Sequence, residues 1–270
     1  MTIRAFLQKE CIDVYALLPF SVLRVGDEAR LCRFFGEKRP QTALIFLIPY
    51  YVKGFSPNFS RYAASRDYHL YIKELEARAK ACFPSLICAA ADHSPVDERH
   101  AALVASLGVL GENRLVLNED YGSFCFIGEL FFENVPEGLA VQEPAEIRGC
   151  ASCHACKKAC PGGALGGQGA CLSEISQKKR LTEDEARLLA ETQTLWGCDV
   201  CQNVCPYNRN AKETPISFFR EDLVSRLDEQ TLDALVESGE FSRRAFSWRG
   251  EETLRRNVRE LSRRAAKKGE

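Results

Sequence analysis

Two unbroken apolar runs stand out against an otherwise mixed pattern. Thr42-Ala-Leu-Ile-Phe-Leu-Ile-Pro49 is one and Ser85-Leu-Ile-Cys-Ala-Ala-Ala91 the other; runs this short and this continuous predict buried strands. Between them, the stretch from Arg61 to Cys82 carries Tyr68, Tyr71, Ile72, Leu75 and Ala79, the spacing of a helical stripe, which Pro84 ends. Pro95 predicts the opening of a further helix running to about Ser106, with Gly108 closing it. Arg114-Leu-Val-Leu117 and Ser123-Phe-Cys-Phe-Ile127 flank Asn118-Glu-Asp-Tyr-Gly122, which predicts a hairpin. A stretch rich in Pro, Glu and Gly, Asn134 to Glu146, reads as a linker. Beyond it, Thr182-Glu-Asp-Glu185 has the pattern of a capping box, opening a helix to about Thr192. From Thr214 onward helical stripes alternate with charged residues. The pattern divides the chain into an α+β domain at 1–135, a cysteine-rich module at 146–210 and a helical C-terminal segment at 211–270.

Composition narrows the classes. The chain has 270 residues, 46% hydrophobic, with 36 Lys plus Arg against 37 Asp plus Glu. That balance excludes a generally basic nucleic-acid binder and leaves room only for a local patch. Such a patch is available from Arg255 to Lys268, where basic residues crowd the tail and could touch the phosphates of a nucleic acid. The longest apolar uncharged stretch, Gln41 to Val52, is well short of the roughly 20 residues a bilayer requires and contains Pro49. Arg4, Lys9, Glu10 and Asp13 occupy the place of a signal peptide's apolar core. A cytoplasmic protein without a membrane span is expected.

Cysteine changes the question. Of 13 cysteines, eight lie between Cys150 and Cys205, and in a reducing compartment such density points to metal before disulfides. Cys11, Cys32, Cys82, Cys88 and Cys125 are scattered among apolar residues and are expected to pack in the core. Cys150-Ala-Ser-Cys153-His-Ala-Cys156-Lys-Lys-Ala-Cys160-Pro161 is the C-x2-C-x2-C-x3-C-P run of bacterial ferredoxins, whose fourth cysteine serves the other cluster. Cys198-Asp-Val-Cys201-Gln-Asn-Val-Cys205-Pro206 supplies a second pair and a second Cys-Pro. With Cys171 the thiolates suffice for two [4Fe-4S] clusters. Cys150, Cys153, Cys156 and Cys205 are assigned to one, and Cys160, Cys171, Cys198 and Cys201 to the other. Zinc is the alternative; the third cysteine of the first run and the two Cys-Pro junctions weigh against it. His154, inside the first run, is expected to face solvent.

Four segments resemble the epoxyqueuosine reductase family: Arg66-Asp-Tyr-His69, Asp92-His-Ser-Pro-Val-Asp-Glu-Arg99, Gly108-Val-Leu-Gly-Glu-Asn113 and Tyr121-Gly-Ser-Phe-Cys-Phe-Ile-Gly-Glu129. Gly197 to Pro206, Trp248-Arg-Gly250 and Leu254-Arg-Arg-Asn257 extend the likeness over most of the chain. The resemblance implies a nitroreductase-like, corrinoid-binding N-terminal domain followed by a ferredoxin-like double-cluster domain and a helical tail. It implies that cobalamin binds between the two domains and that the clusters reduce it. The epoxide of epoxyqueuosine in tRNA is then removed to give queuosine, and Asp92 donates a proton. A carboxylic acid suits that role where a low-dielectric pocket raises its pKa. The rival reading of Asp92 is a cap for the helix begun at Pro95. His69, Asp92, Asn113 and Ser123 are the implied corrinoid contacts, and His93 is a candidate second proton donor. An external donor of flavodoxin or ferredoxin type is implied as partner, and a monomer is expected.

The chain departs from the family pattern at Glu112, where a lysine is usual, at Phe124, where tryptophan is usual, and at His93-Ser94, where Thr-Gly is usual. It is also short beside typical members. Two alternatives therefore stand beside the reductase: a non-catalytic two-cluster electron carrier, and a related corrinoid reductase with another substrate.

Overall fold

The computed structural model describes residues 1–26 and 28–266, with side chains of the last helix as far as Arg263. The chain forms two compact, interleaved units. The first comprises Met1–Tyr50, Tyr68–Ser152 and Asn210–Ser217; the second comprises Tyr51–Asp67, Cys153–Arg209 and Phe218–Glu270.

In the first unit, strands β1 (Tyr15–Pro19), β2 (Thr42–Pro49), β3 (Leu86–Ala90) and β6 (Cys125–Phe132) form an antiparallel sheet in the order β1-β2-β6-β3, and β4 (Val109–Leu110) pairs with β5 (Val116–Leu117). Its helices are α1 (Ile3–Lys9), α2 (Glu28–Phe35), α3 (Tyr68–Cys82) and α4 (Glu98–Val104). All eight residues of β2 are buried. The strand lacks alternation because both faces of the sheet are covered. Ala43, Ile45 and Leu47 join a core with Ala101 to Ala105 of and beyond α4. Elsewhere Phe132 of β6 meets Phe83 after α3, which in turn meets Phe6 of α1, both edge-on.

Several sequence expectations change here. The helix expected from Pro95 starts at Glu98, capped by Asp97, whose carboxylate accepts the His100 amide at 3.1 Å. Pro95 instead lends its carbonyl to the Gly26 amide at 2.8 Å, beside a Val25–Val96 bridge. Its neighbourhood is thus extended backbone, and Asp92 is not the cap. The expected hairpin does not form. The Asn118 and Gly122 backbones bond to each other at 2.9 and 3.0 Å, closing a tight loop. After it, apolar β6 inserts between β2, which pairs with it along its whole length, and β3, which pairs with Glu129 to Phe132. The stretch from Arg61 to Cys82 splits into a 3-10 turn, Arg61–Ala63, and α3. The linker is tied into the first unit by a Leu17–Val141 bridge and by the Ala145 amide donating to the Val104 carbonyl at 2.8 Å. Cys11 and Cys32 are exposed rather than in the core, whereas Cys82, Cys88 and Cys125 are half-buried.

The second unit contains α5 (Ala155–Ala159), α6 (Leu172–Ser176), α7 (Glu183–Thr192), α8 (Val200–Asn203), α9 (Glu229–Glu237) and α10 (Glu251–Ala266). The capping box is present as expected: Thr182 accepts the Glu185 amide and Glu185 accepts the Thr182 amide. Leu172, Leu189 and Trp196 share one core with Leu232, Phe246 and Leu254. The C-terminal helices therefore complete the cysteine module's core instead of standing as a separate segment. The basic tail is largely occupied within the protein. Arg255 pairs with Asp233 at 2.8 Å and Glu229 at 3.2 Å, Arg263 with Glu260 at 3.0 Å, and Arg256 donates to the Lys178 carbonyl at 2.6 Å. Lys267 and Lys268 lie outside the described residues. Among the described residues no helix is long and apolar enough to cross a membrane.

Candidate functional site

The cysteine module is built from short helices whose ends carry the thiols. Cys156 lies in α5 and Cys160 at its end, Cys171 precedes α6, and Cys201 lies in α8. Cys156 and Cys205 are buried, Cys150, Cys160, Cys198 and Cys201 are half-buried, and Cys153 and Cys171 are exposed. Burial pushes the Cys198 thiol up to about 11, and neighbouring Cys171 and Cys160 push the same way. Burial likewise raises Cys201 to about 12, helped by Cys198 and Cys171. Cys156 acts on Cys201 as well, so these influences put Cys156, Cys160, Cys171, Cys198 and Cys201 in one neighbourhood. Thiols held together against their own desolvation suit a metal, which binds the thiolate form. Between α5 and α6 a Cβ on Gly162 would collide with the Ala170 carbonyl, and one on Gly169 with the Gly162 carbonyl. Only glycine lets these backbones pass so closely. His154 is exposed, with a left-handed backbone at φ 60°.

Two polar residues whose roles the sequence does not announce hold this module. Asp199, between Cys198 and Cys201, accepts hydrogen bonds from the Ser60 hydroxyl, the Arg61 amide at 2.9 Å, Arg61 Nη1 at 3.1 Å and Gln202 Nε2 at 3.0 Å. Asn257 of α10 is fully buried and donates to the Ser176 and Leu195 carbonyls, both at 2.8 Å. Gly197, at φ 66°, leaves room for Ser60, into which a Cβ would run. A cleft of about 170 Å³ opens beside Cys198 and Asp199, lined also by Asn58, Arg61, Thr194 and Asn203.

In the first unit, three expected residues come together. The ligand atoms of His69, Asp92 and His93 lie within 4.8 Å of one another. His69 opens α3 and stacks on Tyr68, which stacks on Phe126 of β6, with centroids 4.2 and 4.1 Å apart. Asp92 follows β3 with a positive φ of 62°, a conformation that costs energy for a non-glycine residue and aims the side chain off the strand end. Its Oδ2 is 3.8 Å from His93 Nδ1, and the two side chains are 57% and 77% exposed. The low-dielectric pocket expected around Asp92 is therefore not formed by these neighbours. Asn113 and Ser123 are both buried and belong to other features. Asn113 Oδ1 accepts the Leu115 amide at 3.3 Å in the β4–β5 turn. Its Nδ2 is shielded without a partner among the described residues, the kind of orphaned donor that a polar ligand satisfies. Ser123 lies between Gly122 and β6.

Two further residues escaped the sequence reading. Glu98 of α4 accepts the Ser94 and Asp92 amides, and burial followed by repulsion from Asp92 raises its pKa to about 7. Glu129 of β6 is fully buried, accepts the Ser94 hydroxyl, and is pushed well above the usual carboxylate range by burial and then by Glu98. One signal was available: Glu129 is the lone charge in the run Cys125-Phe-Ile-Gly-Glu-Leu-Phe-Phe132.

Comparison with known proteins bears on both sites. A family model described as a 4Fe-4S double cluster binding domain matches residues 149–208. The epoxyqueuosine reductase of Lactococcus garvieae is 32% identical over 219 residues, covering 74% of this chain and 60% of that protein. That of Listeria monocytogenes is 28% identical over 279 residues, covering 93% and 70%. The chain thus spans less than two thirds of the Lactococcus garvieae relative. Among solved structures, an epoxyqueuosine reductase with an epoxyqueuosine-modified tRNA-Tyr stem loop superposes with a TM-score of 0.70 at 21% identity, covering 96% of this chain and 79% of that one. A Bacillus subtilis epoxyqueuosine reductase, with its aspartate catalytic loop swung out of the active site, gives a TM-score of 0.69 at 20% identity and covers 96% and 80%. The chain carries a double [4Fe-4S] cluster module and is similar to epoxyqueuosine reductases along most of its length.

Proposed function

We propose that this protein is a corrinoid-dependent iron–sulfur reductase that converts epoxyqueuosine to queuosine in tRNA. The observation that carries the reading is the convergence of His69, Asp92 and His93 in a chain that also holds the double cluster module. A relative solved with a modified tRNA stem loop supports the substrate class. Another, whose catalytic loop bears an aspartate and moves, supports a role for an exposed aspartate on a loop.

Removing an epoxide oxygen as water consumes two electrons and two protons. Two clusters, each passing one electron at a time, suit the first requirement. We assign Cys150, Cys153, Cys156 and Cys205 to one cluster. Cys160, Cys171, Cys198 and Cys201 hold the other, a grouping that follows the exchange of Cys-Pro thiolates in two-cluster ferredoxins. When bound, cobalamin supplies the strongly reducing centre at which the carbon–oxygen bond is broken. The protein's part is to bind and to move protons. Asp92, on the loop after β3, is placed to pass a proton to the departing oxygen, which is general acid catalysis. His93, 3.8 Å away, is placed to return a proton, as imidazoles commonly do. His69 is fixed by its stack on Tyr68 and contacts the corrinoid, and Asn113 Nδ2 is a free donor for its polar periphery. The external electron donor is a flavodoxin or ferredoxin, and the protein acts as a cytoplasmic monomer.

The test uses anaerobic protein with its clusters in place, a strong chemical reductant, cobalamin and an epoxyqueuosine-containing stem loop. Cobalamin's visible and EPR spectra change on binding, and mass spectrometry shows the nucleoside losing one oxygen atom. Unchanged spectra leave a simple electron carrier; changed spectra without deoxygenation move the enzyme to another substrate.

A further inference from the structure

The loop that carries Asp92 is held from below by two carboxyls. Glu129, fully buried in β6 opposite Ala90 of β3 and Ile45 of β2, accepts the Ser94 hydroxyl. Glu98, in the first turn of α4, accepts the amides of Asp92 and Ser94. Ser94 is itself buried and bonded to both carboxyls, by its amide to one and its hydroxyl to the other. Each carboxyl keeps one oxygen, Oε1, shielded from water and without a partner among the described residues. An ionised carboxylate abandons neither its hydration nor its hydrogen bonds without compensation.

Among the described residues, no compensating cation comes from the packed elements. Asp92 on the loop and Asp97 at the α4 cap are the charges that act on the pair, both acidic. From β3, the Cys88 thiol faces Glu129, and burial holds it neutral with a pKa of about 12. Arg99, next on α4, turns to the Arg114 carbonyl at 3.2 Å. His100 is pushed toward its neutral form by burial and by Arg24.

We propose that Glu98 and Glu129 share a proton, and that this proton fixes the Asp92–Ser94 loop and so positions the acid assigned above. Its catalytic meaning rests on that assignment; the shared proton itself does not. The upward displacement of both carboxyl pKa values agrees with it. Two carboxyls coupled in this way lose their protons in two separate steps, as a pair. Between the two steps the pair carries a single negative charge, and Ser94 can bridge it. Once both are ionised they repel, and the bridge opens.

Two measurements on cluster-loaded protein test this without using turnover. Infrared difference spectroscopy at about pH 8, well above an ordinary carboxyl's pKa, should show a protonated carboxyl band that shifts in D2O and disappears in Glu129→Gln. No such band in the wild type, or its survival in Glu129→Gln, would overturn the proposal; if that variant fails to fold, the wild-type band alone decides. Hydrogen exchange reads the positioning. Glu129→Gln keeps the shape and the bridge, so the Asp92 and Ser94 amides should exchange as in the wild type. Glu129→Ala should speed them by roughly tenfold or more, the weight of one unit of pK coupling. Unchanged exchange in Glu129→Ala would dismiss the positioning role. Inactivity toward epoxyqueuosine would overturn the function proposed above and leave both readouts intact.

Discussion

Each unit buries carboxyl groups near its functional residues, and each does so differently. In the second unit Asp199 collects four donors, among them the Arg61 guanidinium at 3.1 Å. In the first, Glu98 and Glu129 share Ser94 and leave an oxygen orphaned on each side. A carboxylate answered by a cation and by amides is a rivet, and it holds the Cys198–Cys201 turn in one geometry. A pair bridged by one serine and answered by no cation among the described residues holds its loop, on the proposal above, only while a proton is present. The cluster module, which must keep metal distances constant, has the rivet; the Asp92 loop, to which the proposed function gives the proton, has the conditional grip proposed above.

That contrast can be broken from either side. The largest effect is expected from Cys198→Ala, which should remove a whole cluster: iron should fall from about eight to about four per chain, measured anaerobically, and turnover should vanish. Next comes Asp199→Ala. Removing one partner of a shielded ion pair strands the other, so unfolding free energy should drop by about 3 kcal/mol in denaturant titrations. Glu98→Gln has an effect of similar size but one that depends on pH. The folded-state pKa of Glu98 is raised from 4.5 to about 7, so its proton is held more tightly folded than unfolded. The stability it gives is complete below pH 4.5 and is lost as pH rises through about 7. Relative to Glu98→Gln, the wild type should lose on the order of 3 kcal/mol over that window. A pH-independent difference would place Glu98 with Asp199 as a rivet. The smallest effect belongs to Asp97→Ala, which removes the α4 cap and should cost about 1 kcal/mol; because Asp97 also raises Glu98 and Glu129, the pH-dependent loss should move slightly toward lower pH.

The cluster module was legible because its ligands lie at fixed short spacings, so that Cys150 to Cys160 and Cys198 to Cys205 each declare their chemistry locally. The capping box at Thr182 was legible for the same reason. What failed was pairing over distance. Nothing in Arg114–Leu117 or Ser123–Ile127 says that β5 takes β4 while β6 goes to the middle of the sheet. Pro95 fitted a helix start until a bridge between Val25 and Val96, some seventy positions apart, claimed its neighbourhood. Asn257 was visible as part of a familiar segment, but its two carbonyl partners, Ser176 and Leu195, come from other parts of the chain. Glu129 was readable as an anomaly and nothing more, because its meaning depends on Glu98 and Ser94.

The central claim divides the labour: cysteines carry electrons and Asp92 carries the proton. Asp92→Asn keeps the side chain's shape and removes its acidic proton. In cluster-loaded protein this variant should retain its iron and its spectral response to cobalamin. Its turnover on an epoxyqueuosine stem loop should fall by roughly 10²–10⁴-fold, the usual loss of a general acid. Full turnover by Asp92→Asn, with clusters and cobalamin in place, would contradict the account.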